Sequence, residues 1–171
     1  MPRQVAAGRR RLGILTAFIT GETMSKLSDL YRKIVLAHNR QPRNHHPLEP
    51  CSHHAEGYNP VCGDHIQVYL RLDEAGRVAA ASFTGEACAI CTASSSMMTE
   101  VVAGLDASEV AALFRRFEAM LTEDPAQGES LPGELPVLAG VRHFPGRTKC
   151  ATLSWHTLLA ALEGERAAST E

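Results

Sequence analysis

The sequence predicts a mixed α+β domain, with one amphipathic helix, an antiparallel hairpin and then helices to the end. Three observations carry this reading. Apolar residues recur at three- and four-residue steps over 27–39. They alternate strictly over 65–72, and a turn and a second strand follow. Beyond Gly85 the spacing is helical again, in segments near 88–103, 109–121 and 149–162. A chain of 171 residues with 44% hydrophobic content builds one domain with a real core.

Charge and cysteine content narrow the function. Residues 1–23 hold four arginines, Arg3, Arg9, Arg10 and Arg11, against one acid, Glu22. The remainder is acidic, which disfavours nucleic acid, because phosphate contacts need clustered Lys and Arg. No apolar run approaches the roughly 20 residues that cross a bilayer, so no membrane role is expected. The five cysteines, Cys51, Cys62, Cys88, Cys91 and Cys150, are odd in number, and a chain this long does not need disulfides as its main staple. A reduced, cytoplasmic setting is expected, with thiols free for metal or chemistry.

The elements follow in order. Arg9–Arg11 before the mostly apolar 12–19 has the outline of a targeting segment, without a convincing cleavage site. Residues 1–23 are therefore expected as a disordered extension or a mis-assigned start ahead of Met24. In the first helix Leu27, Leu30, Tyr31, Ile34, Val35 and His38 form one stripe. Ser25 is the expected N-cap, Pro42 the stop, and His38 an edge or core residue. Residues 39–57 read as a solvated loop, and its His45, His46, Cys51, His53 and His54 match no closed zinc motif.

Cys62-Gly63-Asp64 sits on a tight turn, with Pro60 stiffening the entry. The strand at 65–72 turns through Asp73-Glu74-Ala75-Gly76 into a partner at 78–84. That partner is built of small residues around Phe83, so something must pack closely on it. Cys88 opens the next helix, where free N–H groups and the dipole favour a thiolate. Cys91 lies one turn on, Met97 and Met98 are core, and Gly104 is the stop. Asp106 and Glu109 read as a capping box. Residues 122–136 form an exposed insert, 135–141 a short helical turn, 144–147 a break, and 149–162 the last helix with Cys150 near its start. Residues 24–165 make up the domain and 166–171 a tail. There is no repeat, no phosphate loop and no trusted Ser-His-Asp order.

Cys62, Asp64, Cys88 and Cys150 are ligand types that zinc accepts, in the number a tetrahedral site wants. Thiolates suit iron–sulfur clusters equally. Spacing alone leaves two readings open, a metal site or ordinary buried cysteines.

Several motifs go further: Leu30-Tyr31-Arg32, 39–44 (Asn-Arg-Gln-Pro-Arg-Asn), Asn59-Pro60-Val61-Cys62-Gly63-Asp64, Gly85-Glu86-Ala87-Cys88, the run 93–99, and 147–155 around Lys149-Cys150. On these the chain resembles the SufU branch of the IscU-like iron–sulfur assembly proteins, related to the N-terminal domain of NifU, over about residues 26–163. Classical IscU scaffolds carry histidine where Lys149 stands, and they lack the insert that 122–143 supplies. Cys91 stands where a serine is familiar, and we read it as a spare thiol.

The resemblance implies an α/β sandwich, a small antiparallel sheet with helices on one face. It implies zinc on Cys62, Asp64, Cys88 and Cys150, and persulfide sulfur passed to Cys62 by a SufS-type cysteine desulfurase. This would be a sulfurtransferase-like activity, possible only with that partner, and a SufBCD-type complex stands downstream. Cys62 is the expected nucleophile, because its glycine-flanked turn can move while Cys88 and Cys150 are fixed at helix starts. Arg147 is the candidate to orient a ligand or to meet the partner. The alternatives are a scaffold assembling a [2Fe-2S] cluster on the same residues, a thioredoxin-like Cys88-x-x-Cys91 oxidoreductase, and a zinc-stabilised interaction module.

Overall fold

The last long helix is the centre of the molecule, because it is apolar or small almost all round. Its Cys150, Ala151, Leu153, Trp155 and Leu158 are all fully buried, and such a helix must be wrapped by other elements. The computed structural model describes residues 19–123 and 130–170, with the side chains of 19–25 and 27 excepted.

Before that helix come α1 (Ile19–Arg40), β1 (His53–Asn59), β2 (Asp64–Leu72), β3 (Val78–Glu86), α2 (Ala89–Val101) and α3 (Ala107–Thr122). Two 3-10 segments, Leu135–His143 and Pro145–Arg147, then lead into α4 (Thr148–Leu162), and β4 (Ala167–Ser169) follows it. The sheet order is β3-β2-β1-β4. β1–β2 and β2–β3 are antiparallel, whereas β4 runs parallel to β1. Ile66, Val68 and Leu70 of β2 are buried, while Arg71 on the opposite face is exposed. α4 covers this buried face, and α2 packs between α4 and α1. The α+β expectation holds, with helices on one face, but the sheet is mixed.

Other expectations are corrected. Ser25 is not the N-cap of α1, since that helix begins at Ile19. Residues 1–18 of the expected extension lie outside the described residues, as do 124–129 of the insert. Residues 53–57 are not loop but the body of β1. The buried positions of β1 are Ala55, Gly57 and Asn59, so its alternation is of size rather than hydrophobicity. The expected tail carries β4, a three-residue strand without large apolar side chains. The expected break at 144–147 contains a single 3-10 turn. The capping box of α3 is present in both directions. Phe83 is covered as its small neighbours demand, with His45 tilted against it at 4.8 Å. No described helix is long and apolar enough to cross a membrane.

Candidate metal centre

The hairpin between β1 and β2 is closed by Asn59 opposite Asp64, with Cys62 on the turn between them. Gly63 takes φ +70° there, a left-handed conformation that costs a glycine nothing. The turn leaves Cys62 half-buried beside Val61, which is 70% exposed, while Asp64 is fully buried.

Cys88 is the N-cap of α2, and its Sγ accepts the Cys91 N–H at 3.5 Å. Its own backbone N–H donates to Asp64 Oδ1 at 2.8 Å. The β2 carboxylate therefore satisfies one of the free N–H groups at this helix start. Cys150 lies in the first turn of α4, fully buried.

These elements bring together the residues singled out from the sequence. The Cys62 and Cys150 Sγ atoms are 2.9 Å apart. Ligand atoms of Cys62, Asp64 and Cys150 all lie within 4.8 Å of one another. Cys88 does not meet all three at that distance, but its Sγ is 4.0 Å from Asp64 Oδ2. Arg147 Nη1 donates to Cys62 Sγ at 3.3 Å from the exposed rim. One residue was not singled out: buried Asn59, whose Nδ2 donates to Asp64 Oδ2 at 3.1 Å and to Cys150 Sγ at 3.5 Å. An asparagine ahead of the Pro60 turn was the available signal.

Cys91 is fully buried, and burial pushes its thiol well above the ordinary range. It contributes its backbone N–H to Cys88. Cys88 is held down to about 7, chiefly by its hydrogen bond with Cys150, against the opposing effect of burial. The Cys150 thiol is pushed up by the same hydrogen bond and by burial. Cys88 is thus the more acidic thiol of the pair. The Arg147 guanidinium is raised by a hydrogen bond with Cys150 and by the charge of Cys62. Among the described residues, the histidines of the 45–54 stretch join no metal-sized cluster. His38 is the core histidine expected, 3% exposed and bonded to Ser96 and Glu134.

The model of the NifU-like N-terminal domain matches residues 30–151. The chain belongs to this family. The relatives of this NifU-like chain include the "iron-sulfur cluster assembly scaffold protein IscU" of Streptococcus pyogenes serotype M1, 41% identical over 82% of the chain and 87% of the relative. The "zinc-dependent sulfurtransferase SufU" of Bacillus subtilis is 37% identical over 78% of the chain and 90% of that protein. Among solved structures, the putative SUF-system scaffold protein FiSufU of Fervidobacterium islandicum AW-1 superimposes with a TM-score of 0.69 at 28% identity, covering 76% of this chain and 94% of that one.

The NifU-like site suits a divalent ion by its donors. Two sulfurs held tetrahedrally by one zinc at ~2.3 Å stand about 3.8 Å apart. The pair at 2.9 Å needs to part by only about an ångström to reach that. A buried carboxylate, anchored by the Cys88 N–H on one oxygen and by Asn59 on the other, is a third donor. Cys62, Asp64 and Cys150 fit such an ion as they stand, and Cys88 lies beside Asp64 as a further sulfur.

Proposed function

We propose that this chain is a zinc-dependent sulfur acceptor in iron–sulfur cluster assembly, taking persulfide sulfur from a SufS-type cysteine desulfurase onto Cys62. Cys62, Asp64, Cys88 and Cys150 are the proposed metal ligands. The observation that carries the reading is the inequality among the thiols. Cys88 caps a helix and Cys150 is fully buried, whereas Cys62 is half-buried on a turn flanked by exposed Val61 and Arg147. Cys88 is half-buried too, but it is held as a helix cap, so Cys62 on its turn is the thiol best placed to meet a second protein's sulfur. Lys149 in place of the scaffold histidine supports the same reading, as does the name of the Bacillus relative.

Bound zinc would keep the thiols deprotonated without oxidising them, having no redox chemistry of its own. Cys62 acts as the nucleophile: its thiolate attacks the outer sulfur of the donor persulfide. The donor's S–S bond breaks, its cysteine leaves as thiolate, and Cys62 becomes the persulfide. No electrons are gained or lost overall. Arg147, 3.3 Å from Cys62 Sγ, holds this anion on the exposed side. A SufBCD-type complex would consume the sulfur.

A second reading rests on the 41% identical relative that carries the scaffold name. In it the same four residues hold a [2Fe-2S] cluster. Metal analysis and a visible spectrum of the purified protein separate the two, because zinc is colourless and a cluster is red-brown. Desulfurase turnover measured on the same preparation tests the transfer role. Stimulation by the wild type and none by Cys62→Ala is expected, and stimulation by Cys62→Ala rejects the proposal.

A further inference from the structure

Resting on the metal reading above, we infer that Asn59 is a positioning residue that sorts the four ligands, fixing Asp64 and Cys150 from within and leaving Cys62 the one free to depart. Asn59 is fully buried at the end of β1. Its two amide protons go to two different ligands, Asp64 Oδ2 at 3.1 Å and Cys150 Sγ at 3.5 Å. Its Oδ1 accepts the Val61 N–H at 3.3 Å, which pins the turn one residue before Cys62.

The donors to the ligands divide in the same way. Asp64 receives Asn59 and the Cys88 N–H, and Cys88 receives the Cys91 N–H. Cys150 receives Asn59. Among the described residues, Cys62 receives only the exposed Arg147 guanidinium and its neighbour Cys150. A thiolate held by a buried donor is stabilised in place, because leaving strands that donor without a partner. A thiolate facing an exposed guanidinium loses only what water replaces. Three thiolates and a carboxylate also over-neutralise a divalent ion, so an uncharged donor shared by two of them relieves repulsion. Asn59 is in this account neither ligand nor nucleophile, and it acts through the residues it touches.

The test maps cysteine alkylation on zinc-loaded protein, using iodoacetamide and peptide mass spectrometry, beside zinc competition with a chromophoric chelator. In the wild type Cys62 should react first, with Cys88 and Cys150 protected. Asn59→Asp keeps the shape and the Val61 contact but removes both donors. It should make Cys150 react at a rate approaching that of Cys62 and weaken zinc retention about 10–100-fold. The metal-free protein should also melt lower, because the new carboxylate is buried against Asp64, so alkylation order and zinc retention are the deciding readouts. Asn59→Ser, which keeps one donor, should fall between. Unchanged alkylation order and zinc retention in the variants overturn the inference, as does a loss confined to metal-free stability. Should neither variant fold, the wild type still decides: Cys150 reacting as fast as Cys62 overturns the sorting. A wild type that retains no zinc at all overturns the metal reading itself, a distinct result.

Discussion

Cys62 and Cys150 stand 88 positions apart in the chain, yet their sulfurs approach to 2.9 Å. Two thiols this close repel once both ionise, and a cation between them reverses that. Zinc should therefore stabilise the fold. At free zinc about 100 times Kd the gain is about 2.7 kcal/mol, or roughly 5–10 °C in Tm for a domain of this length. A chelator should remove that increment from the wild type. Cys150→Ala should already lack it and ignore the chelator. Calorimetry with and without chelator checks both.

His38 of α1 ties α2 to the residue just ahead of the Leu135–His143 segment. Its Nδ1 meets Ser96 Oγ of α2 at 2.7 Å, and its Nε2 meets Glu134 at 2.6 Å. Arg43 closes the group through Glu100 at 2.6 Å. His38→Leu takes from the buried Ser96 hydroxyl one of its two partners, leaving the Arg43 N–H, so a loss of about 1–2 kcal/mol is expected. Denaturant unfolding measures it, and zinc binding should be little changed.

Gly85 tolerates no side chain. Its φ is +124°, and a Cβ there would lie 2.2 Å from the His65 carbonyl oxygen, which is backbone and cannot step aside. Gly85→Ala should cost at least about 2 kcal/mol. The strand would part from β2 three residues before Cys88, so metal content should fall with stability. Melting curves and elemental analysis on one sample test the pair of effects.

His156 gives the metal-free protein a pH dependence. Burial lowers its pKa below the ordinary 6.5, with Glu118 opposing weakly and the Phe114 ring edge-on at 4.9 Å. The unfolded chain therefore takes up this proton at higher pH than the folded one. The contribution to stability is complete above 6.5 and is lost as the pH falls through the lowered value. His156→Gln should flatten that part of the stability–pH curve between 7 and 5. A variant curve parallel to the wild type would show that the residue carries none of it.

Much of this architecture was legible because apolar residues announce it. The stripe of α1, the alternation of β2 and the Asp106 box of α3 all read directly. The four proposed ligands stand at structural punctuation, a turn and two helix starts, but spacing alone left them open between a metal site and ordinary cysteines, and the resemblance singled them out. What escaped was written in small and polar residues. β1 buries Ala55, Gly57 and Asn59, and β4 is Ala-Ala-Ser. Neither has an apolar period, and both exist because neighbouring strands supply the hydrogen bonds. Asn59 was hidden for the same reason, since its role lies in contacts with Asp64 and Cys150 that no spacing encodes.

Trp155 is the sole tryptophan of the sequence, and it sits five positions beyond Cys150 on the same helix. It is fully buried, layered on Phe114 and Phe117 at 5.9 and 5.0 Å, and its indole N–H meets no acceptor among the described residues. Nature has thus installed a single dry chromophore on the rod that carries a proposed ligand. Its emission should be blue, and any loosening of that rod when the ion departs should redden it, so occupancy could be followed by light without attaching a dye.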